Sequence, residues 1–115
     1  MSQTTVECPV DLEDGLARAG DDREFFLELL QMFIDDAPAR LGELQAAIEA
    51  ADAIRVCSIA HGIKGAAANL SANAVRDSAY ELETLGRQAA TSGYDAPLAQ
   101  LRTELQRLAD FAQSF

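Results

Sequence analysis

The sequence has few of the residues with which small proteins build cross-linked or metal-bound folds. Its 115 residues include two cysteines, one histidine, three prolines and no tryptophan. Cys8 and Cys57 allow at most one disulfide and are spaced too far apart for a zinc motif, so we expect both to be free thiols. A single histidine excludes a metal site built from several imidazoles, and we predict no metal site.

Basic residues are also scarce, and their scarcity excludes several classes of partner. Nine lysines and arginines stand against 19 acidic residues, which gives a formal net charge of -10. Such a chain repels nucleic acid and anionic membrane surfaces, so we predict neither as a partner. The sequence contains neither a signal-peptide pattern nor the run of roughly 18 apolar residues that a membrane helix needs. We therefore expect a cytoplasmic protein.

The rest of the composition is that of one globular domain. Hydrophobic residues make up 49% of the chain and charged residues 24%. A chain of this length can bury a core without help from metal or disulfides. We expect residues 1–10 to form a flexible N-terminal segment and residues 11–115 to form the domain.

Apolar residues recur at helical spacing along almost the whole domain, and no stretch alternates as a half-buried strand would. Capping residues and prolines predict helix starts at Asp11, Asp21, Pro38, Asp52, Ser71 or Asn73, and Asp95. The first helix is predicted to be closed by Gly20, the second to run to about Asp36, and the helix that starts at Ser71 or Asn73 to stop near Gly93. Long amphipathic helices with short connections predict an all-α fold, namely an antiparallel up-down four-helix bundle with a short additional N-terminal helix.

One turn of the predicted helix that follows Asp52 departs from the rules of helix building. Gly62 and Gly65 both lie inside it, although glycine costs about 1 kcal/mol relative to alanine there. The only histidine, His61, and the only lysine, Lys64, lie in the same turn. Residues three and four apart are neighbours on a helix surface, so the imidazole, the ammonium group and Gly65 share a face outside the apolar stripe.

These three residues together suit phosphoryl transfer on histidine. An exposed imidazole is substantially neutral at cell pH and is therefore nucleophilic. A lysine one turn away would stabilise a phosphoryl group through its oxygens. A glycine beside them leaves space for another protein to approach closely.

The pattern His61-x-x-Lys64-Gly65, followed by small residues, resembles the histidine-containing phosphotransfer (HPt) domain of multistep two-component relays. The segment 82–87, which contains Glu83 and Arg87, is similar to the second motif helix of that family. The resemblance covers about residues 20–114 in architecture and residues 57–87 in motif.

This resemblance implies a phosphorelay intermediate. His61 would accept a phosphoryl group from the aspartyl phosphate of a receiver domain and pass it to the aspartate of another receiver. Lys64 would help to hold the phosphoryl group, and Gly65 would keep the docking surface open. The partners implied are receiver domains of hybrid sensor kinases and response regulators.

The resemblance also implies a phosphocarrier and not an enzyme, with no ATP site, no kinase activity and no cofactor of its own. Mg²⁺ is expected on the partner receiver domain. The sequence agrees in one respect, since it contains neither G-x-x-x-x-G-K-[ST] nor G-x-G-x-x-G.

Two positions depart from the family pattern. Ser71 stands where members often carry glycine, so the turn there is expected to differ slightly. Glu83 stands where members often carry a glutamine that is hydrogen-bonded to the active imidazole. A carboxylate at Glu83 would accept a hydrogen bond from Nδ1 and fix the tautomer of His61, but it would also add negative charge near a phosphohistidine. Its net effect on phosphorylation stays open, and Arg87 would offset the charge by pairing with Glu83 or by reaching the phosphoryl group.

Three other interpretations of the chain compete with the carrier. A module of the same fold that only docks and sequesters a receiver would be free to lose His61. An enzyme such as a phosphatase or a metal-dependent hydrolase would need further convergent groups. A purely structural bundle leaves the glycines beside His61 and Lys64 unexplained. We expect a free-standing monomer, because the exposed site needs free access.

Overall fold

The computed structural model describes residues 8–115, and over this range the chain forms five helices and no strand. The helices are α1 (Leu12–Arg18), α2 (Arg23–Glu49), α3 (Ala53–Asn69), α4 (Asn73–Arg87) and α5 (Asp95–Ser114). Each long helix packs against the next along the chain, and α5 also packs against α2, which closes the ring. The predicted all-α bundle with a short additional N-terminal helix is thereby confirmed.

The helix α2 is continuous over 27 residues, so the predicted helix end near Asp36 and new start at Pro38 were wrong. A proline inside a helix removes one backbone hydrogen bond and costs about 3 kcal/mol. The helix continues because its buried residues on both sides of the proline pack into one core; they are Phe26, Leu30, Phe33, Ala37, Leu44 and Ala47. Pro38 itself is exposed, so its ring takes no space in that core.

The start of α2 also differs from the prediction by one residue. Asp22 caps the helix, and its side chain accepts a hydrogen bond from the backbone N–H of Phe25. Asp21 instead has a φ of 61° and belongs to the turn after α1. The predicted cap of α3 is confirmed, since the side chain of Asp52 accepts from the backbone N–H of Arg55.

The connection between α4 and α5 is longer than predicted. The helix α4 ends at Arg87 and not near Gly93, because Ala89 adopts a left-handed φ of 53°. Asp95 is the first residue of α5 and not its cap, and Pro97 lies in the first turn of this helix.

Only some of the apolar residues at the start of α2 enter the core. Phe26, Leu30 and Phe33 are buried, whereas Phe25 is 47% exposed and Met32 is 63% exposed. A single face of α2 therefore enters the core at this level, and the two outer side chains contact solvent.

The turn between α3 and α4 ties α1 to the bundle through Ser71. This buried residue has a φ of 55°, a left-handed conformation that strains any residue with a side chain. Its hydroxyl donates to Asp14 Oδ2 at 2.5 Å, and its carbonyl accepts from the N–H of Asp11 at 2.9 Å. The hydrogen bonds from Ser71 and Arg18 hold the pKa of Asp14 below its usual value. The hydrogen bonds of Ser71 thus compensate for the strain in its backbone and hold α1 against the bundle.

Two substitutions of Ser71 separate the strain from the hydrogen bond. Ser71→Ala keeps the strain and removes the hydroxyl, so we expect the free energy of unfolding to fall by about 1–2 kcal/mol. Ser71→Gly also removes the hydroxyl but relieves about 1 kcal/mol of backbone strain, so it should be the more stable of the two variants. Urea denaturation measures both, and a glycine variant no more stable than the alanine variant would contradict a strained turn.

Residues 1–7 lie outside the described range, and most of the predicted flexible segment falls there. Of the remaining three residues, Val10 is only 2% exposed and joins the core. The flexibility of residues 1–10 stays a prediction.

Candidate functional site

The helix α3 carries His61 and Lys64 on the side away from the core. The side of α3 that faces the core is buried at Val56, Ala60, Ile63 and Ala67, and Ile59 is half-buried. Leu70, which follows the helix, is buried as well. The side chain of His61 is 66% exposed and that of Lys64 is 26% exposed. The imidazole is therefore open to a macromolecular partner.

Glu83 of α4 joins the predicted site residues into one cluster. Its side chain is only 2% exposed, and it reaches between the helices to three basic groups. Oε2 lies 3.0 Å from His61 Nδ1 and 2.7 Å from Arg87 Nη2. Oε1 lies 2.7 Å from Lys64 Nζ. The structure thus brings together His61 and Lys64 from α3 with Glu83 and Arg87 from α4.

The environment of Glu83 keeps its carboxylate ionised. Burial acts to raise its pKa, but the hydrogen bonds from Lys64 and His61 and the charge of Lys64 outweigh burial and bring the pKa below its usual value. Glu83 is therefore an anion at neutral pH, and it stabilises the fold there. That stabilisation is lost as the pH falls through its lowered pKa.

An ionised Glu83 fixes the tautomer of His61. A carboxylate only accepts hydrogen bonds, so the 3.0 Å contact requires that Nδ1 donates. The lone pair of the neutral ring is then on Nε2. The geometry makes Nε2 the nucleophilic atom of this imidazole.

Gly65 faces open space. A Cβ added there would meet nothing within 4 Å, so packing within the described chain does not require glycine. A Cβ at Gly62 would meet only Arg40 Nη1, at 3.0 Å, and this flexible side-chain end can move away. The described chain therefore leaves the surface at Gly65 open to solvent.

Gly86, in contrast, is required by the packing of α3 against α4. A Cβ there would lie 2.7 Å from the backbone nitrogen of Cys57 and 2.9 Å from the carbonyl oxygen of Ala53. Neither backbone atom can move without shifting α3. The close approach at Gly86 holds α4 near enough for Glu83, one turn earlier, to contact His61.

The structure adds two residues that sequence reasoning missed. Lys64 Nζ lies 5.3 Å from the ring centre of Tyr80, which is half exposed, so the ring supports the lysine by a cation–π contact. Ile54 is 85% exposed and lines a hollow beside His61 together with Cys57 and Ser58. Both residues lie at helical spacing from predicted site residues, Tyr80 one turn before Glu83 and Ile54 two turns before His61, so spacing was the available signal.

The described part of the chain holds no cluster of three or more His, Cys, Asp or Glu residues arranged to bind a metal ion. No helix within residues 8–115 is both long and apolar enough to cross a membrane.

Comparison with known proteins gives one family and two similar structures. The model of the Hpt domain family matches residues 28–111. Histidine-containing phosphotransfer protein B (HptB) from Pseudomonas aeruginosa PAO1 is similar with a TM-score of 0.85 and 24% identity, over 96% of this chain and 95% of that chain. The HPT domain of a sensor hybrid histidine kinase from Shewanella is similar with a TM-score of 0.67 and 18% identity, over 92% and 89% of the respective chains. No match was found among curated proteins.

Proposed function

The chain belongs to the Hpt domain family, and we propose on that basis that His61 is the residue through which it accepts and passes on a phosphoryl group. Domains of this family act in histidine phosphotransfer within two-component phosphorelays. They are phosphocarriers and not kinases, and they work with receiver domains of hybrid kinases and response regulators.

The observation that carries the proposal is the contact between an exposed imidazole and a buried carboxylate. With Nδ1 donating to Glu83, the lone pair of Nε2 attacks the phosphorus of an aspartyl phosphate on a receiver. The bond between phosphorus and the aspartate oxygen breaks, and its electron pair returns to the carboxylate. His61 keeps its Nδ1 proton throughout, so no separate base is needed for this step.

The charges around His61 favour the arrival of a phosphoryl group on an acidic chain. Lys64 and Arg87 contribute two positive charges and Glu83 one negative charge, so the cluster is positive while the whole chain carries -10. We assign to Lys64 the role of stabilising the phosphoryl oxygens. To take this role, its ammonium group turns away from Glu83. Arg87 neutralises Glu83 at Oε2.

We assign to Gly65 the role of leaving room for the receiver, and a pair of glycine substitutions tests it. Gly65→Gln is expected to lower kcat/KM for transfer by about tenfold or more, because a side chain fills the docking surface without disturbing the bundle. Gly42→Gln is the matched control, since Gly42 is also exposed inside a helix with nothing within 4 Å of its added Cβ. Both variants should unfold at or above the wild-type temperature. Equal transfer rates for the two variants would contradict the access role.

We also propose that the chain has no ATP site and no cofactor of its own, and that Mg²⁺ is bound by the receiver. We place its action in the cytoplasm, and the net charge of -10 disfavours nucleic acid or an anionic membrane as a partner. The exposed face around His61 supports action as a monomer, because a second copy on this face would block the receiver.

The experiment that tests the carrier role follows one phosphoryl group through two transfers. A radiolabelled phosphorylated receiver is mixed with the protein, the labelled protein is isolated, and a second receiver is added. We expect label to move first to this chain and then to the second receiver, without ATP. A folded protein that binds phosphorylated receivers across a broad panel but takes no label would contradict the carrier and support a sequestering module.

A further inference from the structure

Glu83 presents a full negative charge to His61, although a neutral acceptor would suffice to orient the ring. The side chain of Glu83 is only 2% exposed, and its Oε2 lies 3.0 Å from His61 Nδ1. An amide oxygen of the same shape would accept the same hydrogen bond. The two acceptors differ in charge, and this difference acts most strongly on the ring when the ring itself is charged.

The ring becomes charged when it is phosphorylated. Attack by Nε2 on phosphorus uses the lone pair of the ring, so the product carries a phosphoryl group on Nε2, a proton on Nδ1 and a positive charge on the ring. Loss of that proton would leave a neutral phosphorylated ring. The two forms differ in how easily they release the phosphoryl group.

Onward transfer needs the protonated form. When the carboxylate of a receiver attacks phosphorus, the bond between Nε2 and phosphorus breaks and its electron pair returns to Nε2. With the proton on Nδ1 the leaving group is neutral imidazole. Without this proton it would be an imidazolate anion, which is a far poorer leaving group.

We propose that Glu83 is a positioning residue that retains the Nδ1 proton on phosphorylated His61 and so keeps the phosphoryl group transferable at alkaline pH. The inference rests on the proposed function. The ionised carboxylate is in direct contact with the proton concerned, and charge-assisted hydrogen bonds of this kind are roughly twice as strong as neutral ones.

The charged and titratable groups around this proton have opposing effects, and the effect of Lys64 changes when its side chain turns from Glu83 to the phosphoryl group. On α3, Lys64 pairs with Oε1, and the Cys57 thiol lies in the hollow beside the ring. On α4, Arg87 pairs with Oε2, and Tyr80 lies under Lys64. From α2, Arg40 approaches the neighbouring Gly62. When Lys64 turns to the phosphoryl oxygens, Arg87 is the one cation of this pair that still contacts Glu83. The attraction of Glu83 for the Nδ1 proton therefore increases when the phosphoryl group is present, which is when that proton is needed.

The variant Glu83→Gln tests the inference because it keeps the size and an accepting oxygen while removing the charge. The protein is phosphorylated, and single-turnover transfer to one receiver is measured between about pH 6 and about pH 10. The ratio of variant to wild-type rate cancels the pH dependence of the receiver. We expect the variant to lose the Nδ1 proton of phosphorylated His61 at a lower pH than the wild type. At alkaline pH the ratio should then fall by about tenfold for each pH unit between the two proton losses.

Glu81→Gln is the matched control, because Glu81 is an exposed glutamate of the same helix and its replacement removes the same charge. Its rate ratio should stay constant with pH. A constant ratio for Glu83→Gln as well would overturn the inference and leave the carrier role standing.

A second measurement needs neither the variant nor a receiver. The wild-type chain is phosphorylated with phosphoramidate, and the ¹⁵N signals of its single histidine are followed as the pH is raised. Retention of the Nδ1 proton to higher pH than in a phosphohistidine model peptide is expected, and loss at the same pH would overturn the inference. Failure of the wild-type chain to accept phosphoryl from phosphoramidate or from any receiver would overturn the inference and the proposed function together.

Discussion

Replacement of His61 by glutamine is expected to abolish phosphoryl transfer and to leave the fold intact. The chain contains no second imidazole that could take over the role. The side chain is 66% exposed, and its contact with Glu83 can be kept by the amide NH₂ of glutamine. We therefore expect the free energy of unfolding to change by no more than about 0.5 kcal/mol. Label transfer from a phosphorylated receiver and thermal unfolding measure the two effects.

The chemistry of any remaining label distinguishes the possible outcomes. Label on the wild-type chain should be lost in acid and survive in alkali, as a phosphoramidate does. Wild-type levels of label on folded His61→Gln would contradict the assignment of His61. Label that survives acid would indicate a hydroxyl such as that of Ser58, which lines the same hollow.

Gly86→Ala should have the largest effect on stability among the glycine substitutions. The added methyl group would lie 2.7 Å from the backbone nitrogen of Cys57, 3.1 Å from its Cα and 2.9 Å from the carbonyl oxygen of Ala53. Because these are backbone atoms, α3 and α4 must separate, and we expect a loss of about 1–3 kcal/mol in the free energy of unfolding. Glu83 would move away from His61 with α4, so transfer should slow as well.

Gly42→Ala provides the comparison for this prediction. Its added Cβ meets nothing within 4 Å, so the higher helix propensity of alanine should raise the free energy of unfolding by up to about 1 kcal/mol. Denaturation by urea compares both variants with the wild type. A Gly86→Ala protein as stable as Gly42→Ala would contradict the close helix approach that positions Glu83.

The part of the site that lies on one helix was predictable from the sequence. His61, Lys64 and Gly65 fall within five residues, and helical spacing alone puts them on one face. Glu83 and Arg87 lie more than 20 residues further along, so spacing could not bring them to His61. Their assignment came from the family resemblance, and the structure supplies the contacts, among them the pairing of Lys64 with Glu83.

The fold was predictable where apolar spacing and a capping residue agree, as in α3 with its cap Asp52. The prediction failed at Pro38, because a local rule about proline competes with burial along the full length of α2, and burial depends on the tertiary structure. The sequence also does not show that Phe26 and Phe33 are buried while their neighbours Phe25 and Met32 are exposed, because apolar residues at adjacent positions do not reveal which of them face the neighbouring helices.

The most direct test of the central claim is NMR of the protein labelled with [¹⁵N]histidine and phosphorylated by a receiver. The single histidine gives one pair of ring nitrogen signals, so the assignment is unambiguous. We predict that ³¹P couples to Nε2 of His61 while Nδ1 keeps its proton toward Glu83. Coupling to Nδ1, or unchanged ring signals in a protein that carries the phosphoryl group, would contradict the account.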